Sequence, residues 1–537
     1  VKLVADQLLE DLVPHELRRS WAAAGNYLDR DIYALFHEHA TTNPGRTAVL
    51  DADGVLSYAE LDVLVQRLAV GLAGLGVGER DVVAVQLPNG HLACAFDLAI
   101  AAVGAIALPY PVGRGDREAW SLLSRSRAVA VVTATSYGDY LCAERTRAML
   151  GDLPSLRTVI AVGGEVAGCV PVSALLRCDP ARFTPSTPDP DGPARILVTS
   201  GSEAEPKMVL YSHNALIGGR GRFMGVLLGK TPEPRVYIMV PLASSYGSNG
   251  TAVTLATHGA TLILRPKFDV DIALAAIEED RPTHVLAVPT MFRMITDNSA
   301  RRDTSSLRVV ALGGAALDPA TADRVRESLG CSVVNVYGSA DGVNCHTAVD
   351  GLPHSAGRPN PDVARVSIVD DDLRVLPDGE VGEIVSLGPM SPMRYVGAPE
   401  LNARYRLTDG SVRTGDLGHF DADGHLHVVG RRKDIIIRGG LNISPAEVEG
   451  LLATHPAIRD VVCVPVSDPV LGERLCACVV ADRDLPLVEV TAHLAAQGLE
   501  PRKFPERVVV LGELPLGPAG KVDRRAVQEL IASRAPR

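Results

Sequence analysis

Several short stretches of this chain gather the residue types that handle phosphate. Thr199, Ser200, Gly201 and Ser202, followed by Glu203-Ala204-Glu205-Pro206 and Lys207, offer hydroxyls, backbone N–H groups and one ammonium within nine residues. Such a loop turns N–H dipoles toward phosphate oxygens, and Lys207 adds a point charge. The segment follows the apolar run Ile196-Leu197-Val198 and precedes MVLYSHNAL, an order that predicts strand, polar loop and then helix. The G-x-x-x-x-G-K-[ST] spacing of a Walker A loop is absent. Further along, SVRTGDLG sets Asp416 in a tight loop, GRRKD sets Arg431 and Lys433 at a strand end, and GPAGK sets Lys521 in a Gly/Pro loop. Taken singly, these read as a turn acid, a solvated basic run and an exposed lysine. Any chemistry depends on the fold bringing them together.

The elements that must do so are legible as a rhythm. From Leu56 to Ala134 helical spacing (SYAELDVLVQRLAVGLAGLG) alternates with short β-branched runs (VVAVQL, AIALPY, VAVVTA), which predicts a parallel sheet covered by helices. The rhythm returns in THVLAVPT, SLRVVALGG and CSVVNVYG. Ligands in open α/β sheets sit beyond the carboxyl ends of the strands. The loops at Gly313-Gly314-Ala315-Ala316 and Tyr337-Gly338-Ser339-Ala340-Asp341 are therefore candidates for the same site as the Thr199 loop. Residues 181–194 (ARFTPSTPDPDGPA) read as a linker. From about Val363 short strands and turns suggest a small antiparallel, barrel-like unit. After Arg438 a helix starting near Ser444, two strands, a helix near Val488, the strand RVVVL and a last helix describe an α+β domain of about a hundred residues.

Composition bounds the function. At 537 residues the chain needs more than one domain. Hydrophobic residues make up 46% and charged ones 22%, as in globular proteins, and aromatics are only 4%, so Val, Leu, Ala and Ile must build the core. A net charge of -11 argues against nucleic acid as a partner, because neutralising phosphates needs a basic surface. The nine cysteines are scattered, and Cys476 and Cys478 are expected as small buried side chains of a strand rather than metal ligands. The start, VKLVADQLLEDL, lacks the basic region of a signal peptide, and Asp97 interrupts the most membrane-like stretch, LACAFDLAIAAVGAIALPYP, which reads as a buried helix running into a strand. A cytoplasmic protein with no membrane partner is the expectation.

The joint occurrence of TSGSEAEPK, YGSADG, RTGDLG, GRRKDIIIRGG and GPAGK resembles the adenylate-forming superfamily: acyl-CoA synthetases, adenylation domains of peptide synthetases, and luciferases. The resemblance implies an α/β fold, in which two parallel α/β subdomains and a small barrel-like subdomain form an N-terminal adenylation domain (residues 1–432). A mobile α+β domain (residues 433–537) follows. It implies a reaction in which a carboxylate attacks the α-phosphate of ATP and a thiol then displaces AMP. By resemblance, Thr199, Ser200, Gly201, Ser202 and Lys207 cradle the phosphates. Asp341 stands where the family has a Glu that helps hold Mg²⁺. Gly314, Ala315, Ala316 and Tyr337 enclose adenine, with Asn335, Gly338 and Val428 assigned to the same nucleotide site. Asp416 holds the ribose with Arg431 alongside, Lys521 serves the adenylation step, Lys433 is the hinge, and Gly439 and Gly440 line the pantetheine tunnel.

The chain departs from the family at Glu203, where Thr or Ser is usual; a carboxylate near triphosphate is unfavourable, so its side chain is expected to point away or to bind metal. Ala340, in place of a common Thr, is similar to the aryl-acid-activating ligases. The acid pocket is assigned to Ser244, Ser245, Tyr246, Gly313 and Val343. Ser245 stands where hydroxybenzoate ligases place an Asn, and small residues (Ala243, Ser244, Gly218, Gly219, Gly221) suggest a roomy pocket. These features point to a bulky, largely apolar aromatic or alicyclic acid of secondary metabolism, activated by an acyl-CoA synthetase with ATP, Mg²⁺ and CoA. A ligase loading the phosphopantetheine of a separate acyl carrier protein is the alternative, and a nucleotide-binding protein without turnover is a third reading. A homodimer is left open.

Overall fold

The computed structural model describes residues 8–199, 206–298, 302–315, 317, 319–349, 351, 354–438, 441–517 and 521–533. Four sheets organise them. The first has eight strands in the order Val343–His346, Ser332–Ser339, Val309–Gly313, His284–Ala287, Arg235–Ile238, Thr261–Leu264, Thr47–Asp51 and Gly54–Ser57, parallel except at its two edges. The second, also of eight, is centred on Pro193–Val198, Ile106–Pro109, Val82–Gln86 and Ala130–Ala134, which run parallel. Strands such as Val82–Gln86 are buried at every position, because helices cover both faces; a continuous β-branched run satisfies that environment where an alternating one would not. The helix His91–Ala102 is almost wholly buried, and one core joins residues of both sheets. Its Asp97 forms an ion pair with Arg195 of Pro193–Val198, which explains how a carboxylate sits inside an apolar run.

The third sheet is antiparallel, in the order Arg365–Val369, Gly382–Leu387, Val412–Phe420 and Leu426–Arg431. The fourth is built from Leu441–Ile443, Ile436–Arg438, Gly472–Ala481 and Ile458–Asp468, with Arg507–Leu511 added parallel to Gly472–Ala481. Here Ser444 caps the helix Pro445–Leu452, accepting from the Glu447 N–H with Pro445 at the first helical position. Cys476 and Cys478 are buried on one face of their strand, as expected. None of the described helices is long and apolar enough to cross a membrane.

Four sequence expectations are corrected. MVLYS is not the start of a helix: Met208–Ser212 is a strand that folds back antiparallel on Pro193–Val198, and helical geometry starts only after it. All five of its positions are buried, Val209 and Tyr211 are strand-favouring residues, and the unfilled edge of the sheet decides in favour of the strand. The stretch 181–194 is not a free linker, because Pro193 already belongs to the sheet and Asp191 is buried against Arg18 and Arg19. Asp416 lies within the strand Val412–Phe420 rather than in a loop, next to Gly415 at φ +74°. Gly218 and Gly219 do not widen a pocket: a Cβ at Gly218 would lie 2.3 Å from the Asn26 carbonyl oxygen, and one at Gly219 would lie 2.3 Å from the Met390 nitrogen. Both glycines let backbones meet.

Candidate functional site

The site lies at the carboxyl ends of the two large sheets, where the third sheet and the C-terminal domain close over them. The phosphate-type segment joins the antiparallel strands Pro193–Val198 and Met208–Ser212. Its two described ends are tied together by the Thr199 N–H donating to the Lys207 carbonyl (3.0 Å) and the Lys207 N–H donating to Thr199 Oγ1 (3.3 Å). Two arginines from neighbouring segments hold these ends: Arg114 Nη2 donates to the Thr199 carbonyl (3.2 Å) and Arg125 Nη1 to the Pro206 carbonyl (3.1 Å). Ser200, Gly201, Ser202 and Glu203 lie outside the described residues. The Lys207 ammonium sits 4.0 Å from the centre of the Tyr405 ring and 5.4 Å from that of Tyr395, two cation–π contacts that fix its direction while leaving its N–H groups available.

Tyr395 connects this lysine to Asp341. Its hydroxyl donates to Asp341 Oδ1 (2.5 Å), and Ser339 Oγ donates to Oδ2 (2.6 Å). Asp341 is only 5% exposed, yet each carboxylate oxygen accepts a single described bond and keeps lone pairs for another partner. A hard oxygen donor of this kind, next to a phosphate-type loop, fits Mg²⁺, which is commonly held by one or two carboxylates plus phosphate oxygens.

A second cluster lies beside the first. Strand register puts Asp416 opposite Arg431, with Arg431 Nε 3.3 Å from Asp416 Oδ1. The Tyr337 hydroxyl donates to Asp416 Oδ2 (2.7 Å). Burial raises the Asp416 carboxyl above the usual carboxylate range, while Arg431 and Tyr337 pull it down and Asp341 pushes it further up. Asp341 and Asp416 therefore sense one another, and the two clusters form one site. Burial and the Asp416 charge likewise hold the Tyr337 phenol well above its ordinary value, so it stays a donor.

Lys521 reaches the same cleft from the C-terminal domain. Its backbone is fixed by the Gly517 N–H donating to the Lys521 carbonyl (2.7 Å). A Cβ built on Gly314 would lie 3.0 Å from Lys521 Cε and 3.3 Å from Nζ, and Gly314 itself has φ +83°. Glycine there serves both the left-handed backbone and the approach of the lysine. The Lys521 side chain keeps a face open to solvent in the cleft. The protein crowded around it, with Arg431 adding to the effect and Asp416 opposing it, brings its ammonium down to about 8 from 10.5.

The other candidates are placed as follows. Tyr246 donates to the Ala311 carbonyl (3.0 Å), and its ring flanks Gly313, where a Cβ would meet it at 3.4 Å. Ser244 Oγ accepts from the Gly247 N–H, and the Ser245 carbonyl accepts from Arg220 Nη1, so these two serines shape the loop at the end of Arg235–Ile238. Val343 is buried, opposite Ser339 in the edge hairpin, and Gly338 pairs with Asn344. Ala315 directly follows Gly314. Asn335 is engaged elsewhere, donating through Nδ2 to the Ser355 carbonyl (2.8 Å). Val428 is exposed on its strand, and Lys433 is exposed in the turn Arg432–Asp434 between the third and fourth sheets. Ala316, Gly439 and Gly440 lie outside the described residues. Two surface hollows flanking Arg235, one lined by Arg46 and Glu233 and the other by Arg281 and Arg308, hold none of these residues.

Sequence reasoning missed Tyr395, Tyr405, Arg114, Arg125 and Arg220. The tyrosines and arginines carry no motif of their own, and only their convergence on Lys207, Asp341 and the loop after Arg235–Ile238 gives them meaning. A low aromatic content was the one available signal, since tyrosines are few and two of them flank a single lysine.

Comparison with known proteins gives the family of this chain. The family model described as AMP-binding enzyme matches residues 36–396, and the one described as AMP-binding enzyme C-terminal domain matches residues 447–521. The chain is similar to triostin synthetase I of Streptomyces triostinicus, 32% identical over 97% of this chain and 98% of that protein. It is also 32% identical to the salicyl-AMP ligase / salicyl-S-ArCP synthetase of Mycobacterium tuberculosis, over 96% of this chain and 93% of the other. Among solved structures, the amide bond synthetase McbA of Marinactinospora thermotolerans superposes with a TM-score of 0.82 at 30% identity, covering 93% of this chain and 99% of that one. A chain with these matches, and with a phosphate-type loop, an Asp–Arg–Tyr cluster and a C-terminal lysine in one cleft, belongs to the AMP-binding enzyme family of adenylate-forming acid ligases.

Proposed function

We propose that the protein condenses a bulky aromatic or alicyclic carboxylic acid with ATP and passes the acyl group to the thiol of CoA. The observation that carries the reading is Lys521, delivered by the C-terminal domain to Gly314 and to the electrostatic reach of Asp416 and Arg431. In the first step a carboxylate oxygen attacks the α-phosphorus and the bond to pyrophosphate breaks. Both reactants are anionic, so the barrier is lowered by cations placed where charge accumulates. Lys207, held by two tyrosine rings, faces the β- and γ-phosphates together with Thr199. Lys521 faces the attacking carboxylate and the α-phosphate. Asp416 accepts from the ribose hydroxyls, with its own position set by Tyr337 and Arg431. A Mg²⁺ held by Asp341 would neutralise phosphate charge when bound. In the second step the thiol sulfur attacks the acyl carbon and AMP leaves.

The same ammonium that assists the first step occupies space near the thiol's approach, so the domains 1–432 and 433–537 are proposed to reorient between steps about Lys433, which sits in the short exposed turn between them. The aryl-acid names of relatives support an aromatic substrate: one is a salicyl-AMP ligase, another a 2-hydroxy-7-methoxy-5-methyl-1-naphthoate–CoA ligase. The first of these also loads an aryl carrier protein by its name, which favours a second reading in which the acceptor is a carrier phosphopantetheine. ATP–pyrophosphate exchange across a panel of bulky acids tests the first step, and thioester formation with CoA against a holo-carrier separates the two acceptors. Tight ATP binding with no exchange for any acid would leave the protein a nucleotide binder and sink the reading.

A further inference from the structure

We propose that the turn joining the strands Val412–Phe420 and Leu426–Arg431 is a binding site for a transition-metal dication of the Zn²⁺ class, held by Asp421, Asp423, His425 and His427. The site lies outside the nucleotide cleft and does not depend on the acid-ligase reading.

The stretch GHFDADGHLH puts three of the chain's fourteen histidines within nine residues, with two aspartates between them. Strand alternation sorts these side chains. Phe420 and Leu426 pair across the hairpin and pack inward with Ile368 and Ile384. His419, paired with His427, and Asp421, whose N–H donates to the His425 carbonyl, therefore belong to the opposite face. The His419 and His427 rings stack with centroids 5.1 Å apart and planes at 23°, which fixes the plane of His427. The turn is also pinned from outside. Leu426 exchanges backbone hydrogen bonds with Ala356 and Gly357, the Gly379 N–H donates to the Phe420 carbonyl, and Arg358 Nε donates to the Asp423 carbonyl (2.8 Å).

On this fixed frame the donors converge. One ligand atom each from Asp421, Asp423 and His425 lies within 4.8 Å of the others. His427 Nε2 stands 2.9 Å and His425 Nδ1 3.3 Å from the same oxygen, Asp421 Oδ2. Donors bound at 2.0–2.2 Å to one tetrahedral or octahedral ion stand about 2.8–3.5 Å apart, so these spacings already match the edges of a coordination shell. An ion would replace the two imidazole protons that now point at Oδ2. A plain solvated turn accounts for part of the pattern: Asp421 Oδ1 accepts from the Asp423 and His425 N–H groups, as a turn aspartate does. That role needs neither imidazole, and it leaves Oδ2 and the Asp423 carboxylate unused by the backbone. His425, His427 and Asp421 are about one-third exposed, so an ion can enter from solvent. Two imidazole nitrogens with carboxylate oxygens suit Zn²⁺, Ni²⁺ or Co²⁺, whereas Mg²⁺ and Ca²⁺ call for oxygen alone. Asp416 and Arg431 pair further along the same two strands, about 10–16 Å away at 3.3 Å per residue, so the ion is distinct from any Mg²⁺ at Asp341.

The test is calorimetric titration of the metal-free full-length chain with Zn²⁺, in the absence of ATP, for wild type, His425→Gln/His427→Gln and Asp423→Ala. The Asp423 side chain is exposed and makes no hydrogen bond among the described residues, so its removal leaves the fold intact. Wild type is expected to bind one Zn²⁺ saturably, undisplaced by equal Mg²⁺ or Ca²⁺, and to gain melting temperature with it. Asp423→Ala should weaken Kd by at least roughly tenfold, since even outer partners of a metal ligand carry that much, and the double variant should lose both the binding and the thermal gain. Co²⁺ in place of Zn²⁺ should give d–d bands without a thiolate charge-transfer band, which separates this site from the cysteines. The absence of saturable Zn²⁺ binding by wild type, equal binding by the variants, a thiolate band, or preference for Ca²⁺ would each overturn the proposal.

Discussion

Removing the Lys521 ammonium should disable one half-reaction and spare the other. The side chain lies against Gly314, with a Cβ position there only 3.3 Å from Nζ, and it shares the cleft with Asp416 and Arg431. Nothing else described from the C-terminal domain brings a cation to this point. Loss of one preorganised donor at a centre of developing charge costs on the order of 10²–10³ in rate. Lys521→Ala is therefore expected to lower ATP–pyrophosphate exchange by about that factor, and to form thioester from presynthesised acyl-adenylate at a near wild-type rate. The pH dependence supplies an independent check. Crowding lowers the Lys521 ammonium to about 8, so in free enzyme it is charged below that pH and neutral above it. The kcat/KM of exchange, which reports the free enzyme, should fall as pH rises through about 8, and that limb should be missing in Lys521→Ala. The assays are stopped exchange over a pH series and single-turnover thioester formation. A large defect of Lys521→Ala in the isolated second step, or an unchanged alkaline limb in its exchange profile, would refute the argument and remove the reason for a hinge at Lys433.

Three further outcomes are expected. Asp416→Ala should impair both half-reactions, since it loses charge-assisted bonds worth about 1.5–3 kcal/mol and strands Tyr337 and Arg431; titration with a non-hydrolysable acyl-adenylate analogue showing unchanged affinity would contradict this. Gly314→Ala should reduce exchange as Lys521→Ala does, because it places a methyl 3.0 Å from Lys521 Cε and forces a left-handed alanine costing roughly 1–2 kcal/mol; thioester formation from supplied adenylate should suffer less, and equal losses in both assays would point to a folding defect. Asp97→Ala should destabilise the large domain by about 3–5 kcal/mol by leaving Arg195 buried without its counter-charge, seen as an earlier first transition in thermal unfolding, and Asp97→Leu combined with Arg195→Met should recover much of it.

The motifs were legible because they are local. A Ser-Pro-x-Glu start caps a helix wherever it stands, and Val82–Gln86 reads as a doubly buried strand from its composition alone. The helix His91–Ala102, the strand that follows it and the burial of Cys476 and Cys478 followed from periodicity in the same way. The family resemblance, carried by five short motifs, was legible before any contact was known, and the family models agree with it. What the sequence could not give was partnership across distance. Asp97 and Arg195 are 98 positions apart, and whether the carboxylate breaks a helix or completes an ion pair is settled by sheet order. Met208–Ser212 took a strand over a helix because the neighbouring strand offered unpaired backbone groups, a fact of the folded sheet. Gly218 and Gly219 look like open space in a sequence and are contact points in the structure. Asp416 found Tyr337, Lys207 found its two tyrosines, and Arg220 found the Ser245 carbonyl and the Tyr211 ring, all through packing of separate elements. Local patterns fix which elements form, because hydrogen bonding and burial repeat with short periods. Which charges are matched is decided only when those elements meet, because electrostatic pairing depends on distance through space.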